Sequence, residues 1–255
     1  MASECGEWIR AERNGGILRI TIDRPEKKNA MTPEMGEAMI DLVERSAGDP
    51  EVAVIVLGGA GGCYTSGADV TIALPARAQS PLRRHVRGQP LMRLLSVVAR
   101  SSVPVVSSVS GWALGAGTGL VGASTFAVAG RSAVFGMPEV RLGVFPAAVM
   151  PVIVDRVGPH RAMRWALTGV RISATEAHDS GLVDILVPDD ELGHTVDELA
   201  ETIVSNGSLV NRAGMEWFRK VNAGLGELVD YSNMLSHLYA AGTEADITGE
   251  PLPNR

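Results

Sequence analysis

The sequence has little cysteine, few aromatic residues and no excess of positive charge, and each shortage argues against a class of protein. Its two cysteines, Cys5 and Cys63, have neither the spacing of a metal site nor the pattern of a disulfide scaffold. Aromatic residues make up 4% of the 255 residues, too few for the stacking platforms that bind single-stranded nucleic acids. The formal net charge of −6 also argues against a basic nucleic-acid-binding face. We therefore expect no metal site and no nucleic-acid partner.

The N-terminus has no basic segment followed by an apolar core, so we expect no signal peptide and a cytoplasmic protein. The longest uncharged run, residues 101–130, is long enough to suggest a membrane-spanning helix. It contains six glycines and six serines, however, and glycine weakens helix interiors. The run instead predicts a buried strand at 103–109, a glycine-rich turn, a short helix at 115–122 and a second strand at 125–129. We expect no insertion into a membrane.

The hydrophobic content of 45% is typical of a globular protein with a substantial core. Residues 8–12 and 17–22 predict a hairpin, Thr32 predicts the start of a helix, and the apolar run 52–57 predicts a buried strand. Strands and helices alternate to about residue 150, and mostly helices follow. This order predicts an α/β core, placed at residues 1–195, and a C-terminal helical region at 196–255.

Two glycine turns and one carboxylate are the candidate catalytic groups. The turn at residues 66–69 places the N–H of Ala68 just after a glycine, and Gly115 places the N–H of Ala116 at the start of a helix. Such N–H groups lie at the positive end of a helix dipole or turn, and two of them can hold a carbonyl oxygen as it gains charge. Glu139, which follows Met137-Pro138 in a loop, can act as a base or an acid.

Other patterns predict rival functions. Residues 117–122 match the glycine fingerprint of dinucleotide-binding proteins, with Glu139 at a suitable distance for a ribose. Residues 111–116 intervene between the predicted strand and the first of these glycines, which does not fit that motif. No Gly-x-Ser-x-Gly elbow occurs and no histidine has a catalytic motif around it, so serine hydrolysis is not indicated. Basic residues at 77–87 are either a solvated face or a contact for ligand phosphates.

Taken in order, several segments resemble the crotonase superfamily, which is the enoyl-CoA hydratase/isomerase family. They are residues 23–31, 63–70, 109–117, 135–139 with 142–143, and 169–177 with 181–183. The resemblance extends over roughly residues 9–205. It implies the ClpP/crotonase-like fold, a spiral of ββα turns followed by C-terminal helices that build trimers, which often pair into hexamers.

The same resemblance implies an acyl-CoA thioester whose carbonyl oxygen lies between the N–H groups of Ala68 and Ala116. The CoA is then part of the substrate, and no separate cofactor is expected. Residues at the matching positions would line the CoA site: Lys27, Lys28, Ala30, Ser66, Asp69, Val70 and Gly115. Thr71 stands where some family members carry a lysine, so the basic residues at 77–87 would contact the CoA phosphates instead.

One position departs from the family pattern. Family hydratases use two glutamates to place water across a double bond; Glu139 matches the second, but Gly119 stands at the position of the first. A single acid–base group is enough to move a double bond, so the sequence favours isomerisation over hydration. Two alternatives remain open: a hydratase that uses another acid, such as Asp155, and an acyl-CoA-binding protein without turnover.

Overall fold

A computed structural model describes residues 6–72 and 90–221 of the chain. Its strands are β1 (Ile9–Asn14), β2 (Ile17–Ile22), β3 (Val54–Gly59), β4 (Val105–Val109), β5 (Trp112–Leu114), β6 (Phe126–Gly130), β7 (Val134–Gly136), β8 (Ile172–Ser173) and β9 (Ile185–Val187). Its helices are α1 (Pro33–Gly48), α2 (Pro90–Ala99), α3 (Ala116–Ala123), α4 (Met150–Val157), α5 (Pro159–Thr168), α6 (Ala174–Asp179), α7 (Leu192–Ser205) and α8 (Ser208–Val221). Short 3₁₀ helices span Pro25–Lys27 and Pro138–Leu142.

The strands form two sheets. The main sheet has the order β1-β2-β3-β4-β6-β9, in which β1 and β2 form the predicted antiparallel hairpin and the other neighbours are parallel. The smaller sheet has the order β5-β7-β8. Parallel neighbours cannot be joined by tight turns, so the chain crosses over between them and its helices cover the sheet faces. The predicted alternation of strands and helices is confirmed.

Helix α1 begins where the sequence predicts it. The Thr32 hydroxyl accepts a hydrogen bond from the N–H of Met35 at 3.3 Å, and Pro33 occupies the first helical position. The apolar face of this helix is buried, with Met39 and Val43 at its centre. It packs against the buried face of α2.

The long uncharged run folds as a strand, a turn, a helix and a strand. Strands β4 and β6 flank α3, all of whose residues are buried, and the short strand β5 lies in the turn before it. Glycines let other elements approach α3 closely. A Cβ at Gly117 would lie 2.7 Å from the Thr65 methyl, and one at Gly122 would lie 3.0 Å from Ile153 Cδ1. The glycines that disfavour a membrane helix therefore permit dense packing.

Helix α7 packs on one face of the main sheet. Val196, Ala200 and Ile203 form a separate buried cluster with the valines of β3, β4 and β6. The predicted boundary between residues 195 and 196 falls inside this helix, and the division into two regions stays a prediction. The predicted C-terminal helical region, residues 196–255, extends beyond the described residues, which end at 221. No helix within the described ranges is long and apolar enough to cross a membrane.

Helix α8 is joined to the end of α1 by one arginine. The Arg212 guanidinium donates hydrogen bonds to the carbonyl oxygens of Ser46, Ala47, Asp49 and Val52 at 2.6–3.1 Å. Carbonyls at the C-terminal end of a helix have no partner within the helix and lie at the negative end of its dipole. Arg212 therefore caps α1 and fixes α8 to the body of the protein.

Candidate active site

Asn29 organises the turn that follows the first hairpin. Lys28 and Asn29 adopt left-handed backbone conformations, with φ of 53° and 56°, which asparagine tolerates better than most residues. The buried Asn29 side chain accepts a hydrogen bond from the N–H of Arg24 at 2.8 Å. It also donates to the carbonyl oxygens of Ala60 at 2.9 Å and Cys63 at 2.5 Å. This amide therefore holds the turn against the loop that follows β3.

Thr65 connects the same turn to the first of the two predicted donor turns. Its hydroxyl donates to the Asn29 carbonyl oxygen at 2.6 Å and accepts from the N–H of Gly67 at 3.0 Å. Gly67 has a φ of 95°, a conformation that strongly favours glycine. The turn is thus fixed by a buried hydroxyl on one side and by glycine geometry on the other.

A single parallel bridge sets the direction of the Ala68 N–H. Met31 donates to the Gly67 carbonyl oxygen at 2.8 Å and accepts from the N–H of Asp69 at 2.9 Å. In such a bridge, the residues on either side of Ala68 make the hydrogen bonds to Met31. The N–H of Ala68 therefore points away from Met31.

The turn of Ala68 lies against the start of α3. A Cβ at Gly67 would lie 2.6 Å from the Leu114 carbonyl oxygen and 3.6 Å from the backbone nitrogen of Ala116. Ala116 is the first residue of α3, so its N–H has no acceptor within the helix. In the part of the chain that the structure describes, neither the Ala68 nor the Ala116 N–H donates to a backbone carbonyl.

Glu139 lies beside this helix start. It belongs to the 3₁₀ helix Pro138–Leu142, directly after β7, and it is half-buried. A Cβ at Gly115 would lie 2.7 Å from Glu139 Oε1, so the carboxylate lies directly over Gly115. The structure therefore brings together Glu139 and Ala116, which are 23 positions apart in the sequence.

Thr118 holds the strand before Glu139 against the helix, a role that sequence patterns did not reveal. Its hydroxyl oxygen lies 2.6 Å from the Ala113 carbonyl oxygen and 2.8 Å from that of Gly136, and it donates to one of them. It accepts from the N–H of Gly136 at 3.1 Å, and Gly115 donates to the Gly136 carbonyl oxygen at 2.8 Å. The only sequence signal was a hydroxyl within an apolar helix.

The Asp69 side chain is engaged within the protein. Its carboxylate accepts from Arg24 at 2.8 Å and from the Thr71 N–H and hydroxyl at 3.0 Å and 2.6 Å. The Thr71 hydroxyl and then Arg24 lower the pKa of Asp69. The Arg24 guanidinium in turn lies 4.8 Å from the Trp8 ring centroid and donates to Ala30 at 3.0 Å. The Asp69–Arg24 ion pair therefore connects the two loops of the predicted CoA site, residues 24–30 and 66–71.

The other predicted CoA-binding residues are grouped at the surface around the donor turns. Lys27 and Lys28 are exposed, the N–H of Ser66 donates to the Lys28 carbonyl oxygen at 2.9 Å, and Val70 is half exposed. Their role in binding CoA stays a prediction. The basic residues suggested as phosphate contacts lie outside the described residues: Arg77, Arg83, Arg84, His85 and Arg87.

Asp155 does not supply a carboxylate at Gly119. Helix α4 buries Ile153 and Val157, and Asp155 lies on its exposed side.

The dinucleotide fingerprint also does not fit the structure. Residues 117–122 lie inside α3, whereas that motif needs its glycines in a turn between a strand and a helix.

Comparison with known proteins identifies the family to which this fold and site belong. The model of the enoyl-CoA hydratase/isomerase family matches residues 12–240, and the chain belongs to this family. A hydroxycinnamoyl-CoA hydratase-lyase of Pseudomonas fluorescens is 31% identical over 229 residues, which cover 86% of this chain and 82% of the relative. The enoyl-CoA hydratase EchA19 of Mycobacterium tuberculosis is 31% identical, over 85% of this chain and 82% of its own length.

Solved structures give the same result for the fold. AtuE of Pseudomonas aeruginosa superposes with a TM-score of 0.88 at 32% sequence identity, over 93% of both chains. An enoyl-CoA hydratase/isomerase from Marinobacter aquaeolei superposes with a TM-score of 0.86 at 30% identity, over 94% of both chains. The crotonase fold expected from the sequence motifs is confirmed.

Replacement of Gly115 by alanine tests the contact with Glu139. Gly207 is a matched control, because it has a φ of 85° and open space around its Cα, whereas Gly115 has a φ of 54° and faces the carboxylate. Both substitutions place a side chain at positive φ and should lower the stability, Gly115→Ala the more, because the ψ of −116° at Gly115 lies outside the left-handed region that other residues can adopt. Only Gly115→Ala should displace Glu139, as a crystal structure of each variant would show. An unmoved Glu139 in Gly115→Ala would contradict the contact.

Asp69→Asn tests the carboxylate that joins the two loops. The lowered pKa means that the carboxylate stabilises the fold fully above the unfolded pKa of about 3.9, and that this contribution is lost as pH falls through the folded pKa. Wild type should therefore be more stable than Asp69→Asn at pH 7, and the difference should shrink below about pH 4. Urea unfolding at a series of pH values measures it. A difference that is constant from pH 7 to pH 3 would contradict this role.

Proposed function

We propose that the protein is an acyl-CoA enzyme that moves a carbon–carbon double bond, with Glu139 as its single acid–base group. The observation that carries the proposal is the position of the Glu139 carboxylate over Gly115, the residue before the Ala116 N–H. A carboxylate beside an oxyanion-binding N–H can remove a proton from the carbon next to a carbonyl group and stabilise the enolate that results.

The relatives support a CoA thioester as the substrate. The names of those at 31–32% identity refer to hydroxycinnamoyl-CoA, enoyl-CoA and crotonyl-CoA. In the proposed complex, the thioester oxygen accepts from Ala68 and Ala116, and the exposed Lys27 and Lys28 meet the anionic part of CoA. CoA is carried by the substrate, so the proposed reaction needs no separate cofactor.

The proposed reaction is a proton shuttle along the acyl chain. Glu139 removes a proton from C2 of a 3-enoyl-CoA, and the electron pair of that C–H bond passes into the thioester, whose oxygen gains charge between the two N–H groups. Glu139 then returns the proton to C4 while the charge on oxygen collapses, which leaves the double bond between C2 and C3. No atom is gained or lost, so one carboxylate is enough.

Hydration would need more than this arrangement offers. A second group must hold the water, and Gly119 has no side chain while Asp155 lies on the exposed side of α4. A positioned acid–base group contributes typically about 10²–10⁴-fold to a rate, so its loss disfavours water addition. The alternative is a 2-enoyl-CoA hydratase, which the names of several relatives support. A binding protein without turnover is the remaining alternative, and the placement of Glu139 argues against it.

The proposal includes assembly in the cytoplasm as a homotrimer or as a hexamer of two trimers. An interface is supported by large apolar side chains that are about half exposed, on and just after the 3₁₀ helix Pro138–Leu142 and on the neighbouring helix α5: Leu142, Phe145, Met163 and Leu167. Light scattering of the purified protein should give the mass of three or six chains. A monomer at micromolar concentration would contradict the proposed assembly.

Glu139→Gln tests the proposed chemistry, because glutamine keeps the volume of the side chain and cannot take up the proton. Wild type should convert 3-enoyl-CoA to 2-enoyl-CoA and hydrate 2-enoyl-CoA slowly. Glu139→Gln should lose about 10²–10⁴-fold in isomerisation while CoA still raises the melting temperature. Glu37→Gln, an exposed position on α1, is the matched control and should change neither rate.

Three results would overturn parts of this proposal. Rapid hydration without isomerisation would favour the hydratase. Rates that do not respond to Glu139→Gln would reject the proposed base. Binding of CoA esters without either reaction would indicate a protein that binds and does not turn over.

A further inference from the structure

Gly119 lies on the same side of α3 as the proposed oxyanion donor. It follows Ala116 by three residues, so the two positions are neighbours on one face of the helix. Its N–H donates to the Gly115 carbonyl oxygen at 3.0 Å, which fixes this first turn of the helix. A side chain at position 119 would therefore project one turn away from the proposed site of the thioester oxygen.

The space beside Gly119 is already filled with hydrocarbon. A Cβ at this position would lie 2.8 Å from Val149 Cγ1, and 3.0 Å and 3.2 Å from the two methyl carbons of Leu95. Both neighbouring side chains are buried, each at 2% exposure. A side chain at position 119 would therefore have to displace these hydrocarbon groups, which offer no hydrogen bond to a carboxylate.

Val149 is the less mobile of the two neighbours. It directly precedes α4, where its N–H donates to the Pro146 carbonyl oxygen at 3.1 Å and its carbonyl oxygen accepts from Ile153 at 3.2 Å. Its β-branched side chain is also restricted about its first torsion. Leu95 has more torsional freedom, and it lies on the face of α2 that packs against α1 and α3. A larger group at position 119 would therefore meet Val149 first.

We infer that Val149, supported by Leu95, is a specificity-determining residue: it fills the space that a second carboxylate, and the water held by it, would need. The part of the inference that concerns the reaction rests on the proposed function; the part that concerns packing does not. Its consequence is that positions 119 and 149 are coupled. A glutamate at position 119 is tolerated only when position 149 is small.

The coupled change would add the missing step of hydration. In the double variant, the water oxygen bonds to C3 of a 2-enoyl-CoA as its proton passes to the carboxylate at position 119. Glu139, which enters this reaction protonated while the carboxylate at position 119 enters it ionised, delivers its proton to C2, where the electron pair of the double bond arrives through the enolate. One water is consumed, and each of the two carboxylates handles one proton.

A double-mutant cycle tests the inference with wild type, Gly119→Glu, Val149→Gly and the double variant. Gly119→Glu should lower the melting temperature by roughly 4–10 °C because it overpacks the buried site. The double variant should lose less melting temperature than the two single variants lose together, because the glutamate fills the space that the valine vacates. A second double variant, Gly119→Gln with Val149→Gly, has nearly the same shape and no acid–base group.

Hydration of 2-enoyl-CoA is the second measurement. The double variant with Gly119→Glu should hydrate at least about 10²-fold faster than the one with Gly119→Gln, since a positioned acid–base group contributes about 10²–10⁴-fold. Additive melting-temperature changes would overturn the coupling. Equal hydration by the two double variants, or full hydration by Gly119→Glu alone, would overturn the role of Val149 in specificity.

The cycle separates this inference from the proposed function. If wild type fails to isomerise 3-enoyl-CoA, the proposed function is wrong. In that case, melting-temperature changes that are not additive, together with the gain in hydration, would still support the specificity role of Val149. If wild type isomerises and the cycle is additive, the proposed function stands and the inference is wrong.

Discussion

The arrangement of the site depends on the hydrogen bonds between the Thr118 hydroxyl and the peptide groups of Gly136. They join β7, which leads to Glu139, with the helix that begins at Ala116. The Gly136 carbonyl oxygen also accepts from Gly115, so the backbone of Gly136 is hydrogen-bonded to both ends of the first turn of α3. Thr118 is fully buried, and a buried polar group without its partners costs about 1–3 kcal/mol. The proposed base and the oxyanion donor are therefore set by one rigid unit rather than by two independent loops.

Sequence patterns predicted the elements well, because most of their signals are local. The Thr32 cap, the hairpin and the strand, turn and helix of the uncharged run all depend on neighbouring residues. The contact of Glu139 with Gly115 could be expected only from the resemblance to a family, since it joins distant residues. Asn29, Thr65 and Thr118 were missed because a polar side chain gives no sign in the sequence of the carbonyl groups that it will meet.

Asp69 shows where a matching motif gives less information than a structure. Its position was predicted to line the CoA site, and its carboxylate is hydrogen-bonded to Arg24 and Thr71. A motif records which residue stands at a position, but it does not distinguish binding of a ligand from support of the loop that binds it. Gly119 has the same ambiguity. The sequence shows that position 119 has no side chain. Only the structure shows that methyl groups from α2 and from the residue before α4 occupy the space beside it.

The position of Arg212 has a consequence for the order in which the molecule forms during synthesis. Strands β1, β2, β3, β4, β6 and β9 join the main sheet in chain order, so each can pair with a strand that has already left the ribosome. Arg212 instead reaches back 160 to 166 positions to Val52 and Ser46. The carbonyl groups at the end of α1 therefore lack the Arg212 guanidinium until α8 emerges, and the first α-helix of the described chain gains this cap only after the last described helix is made.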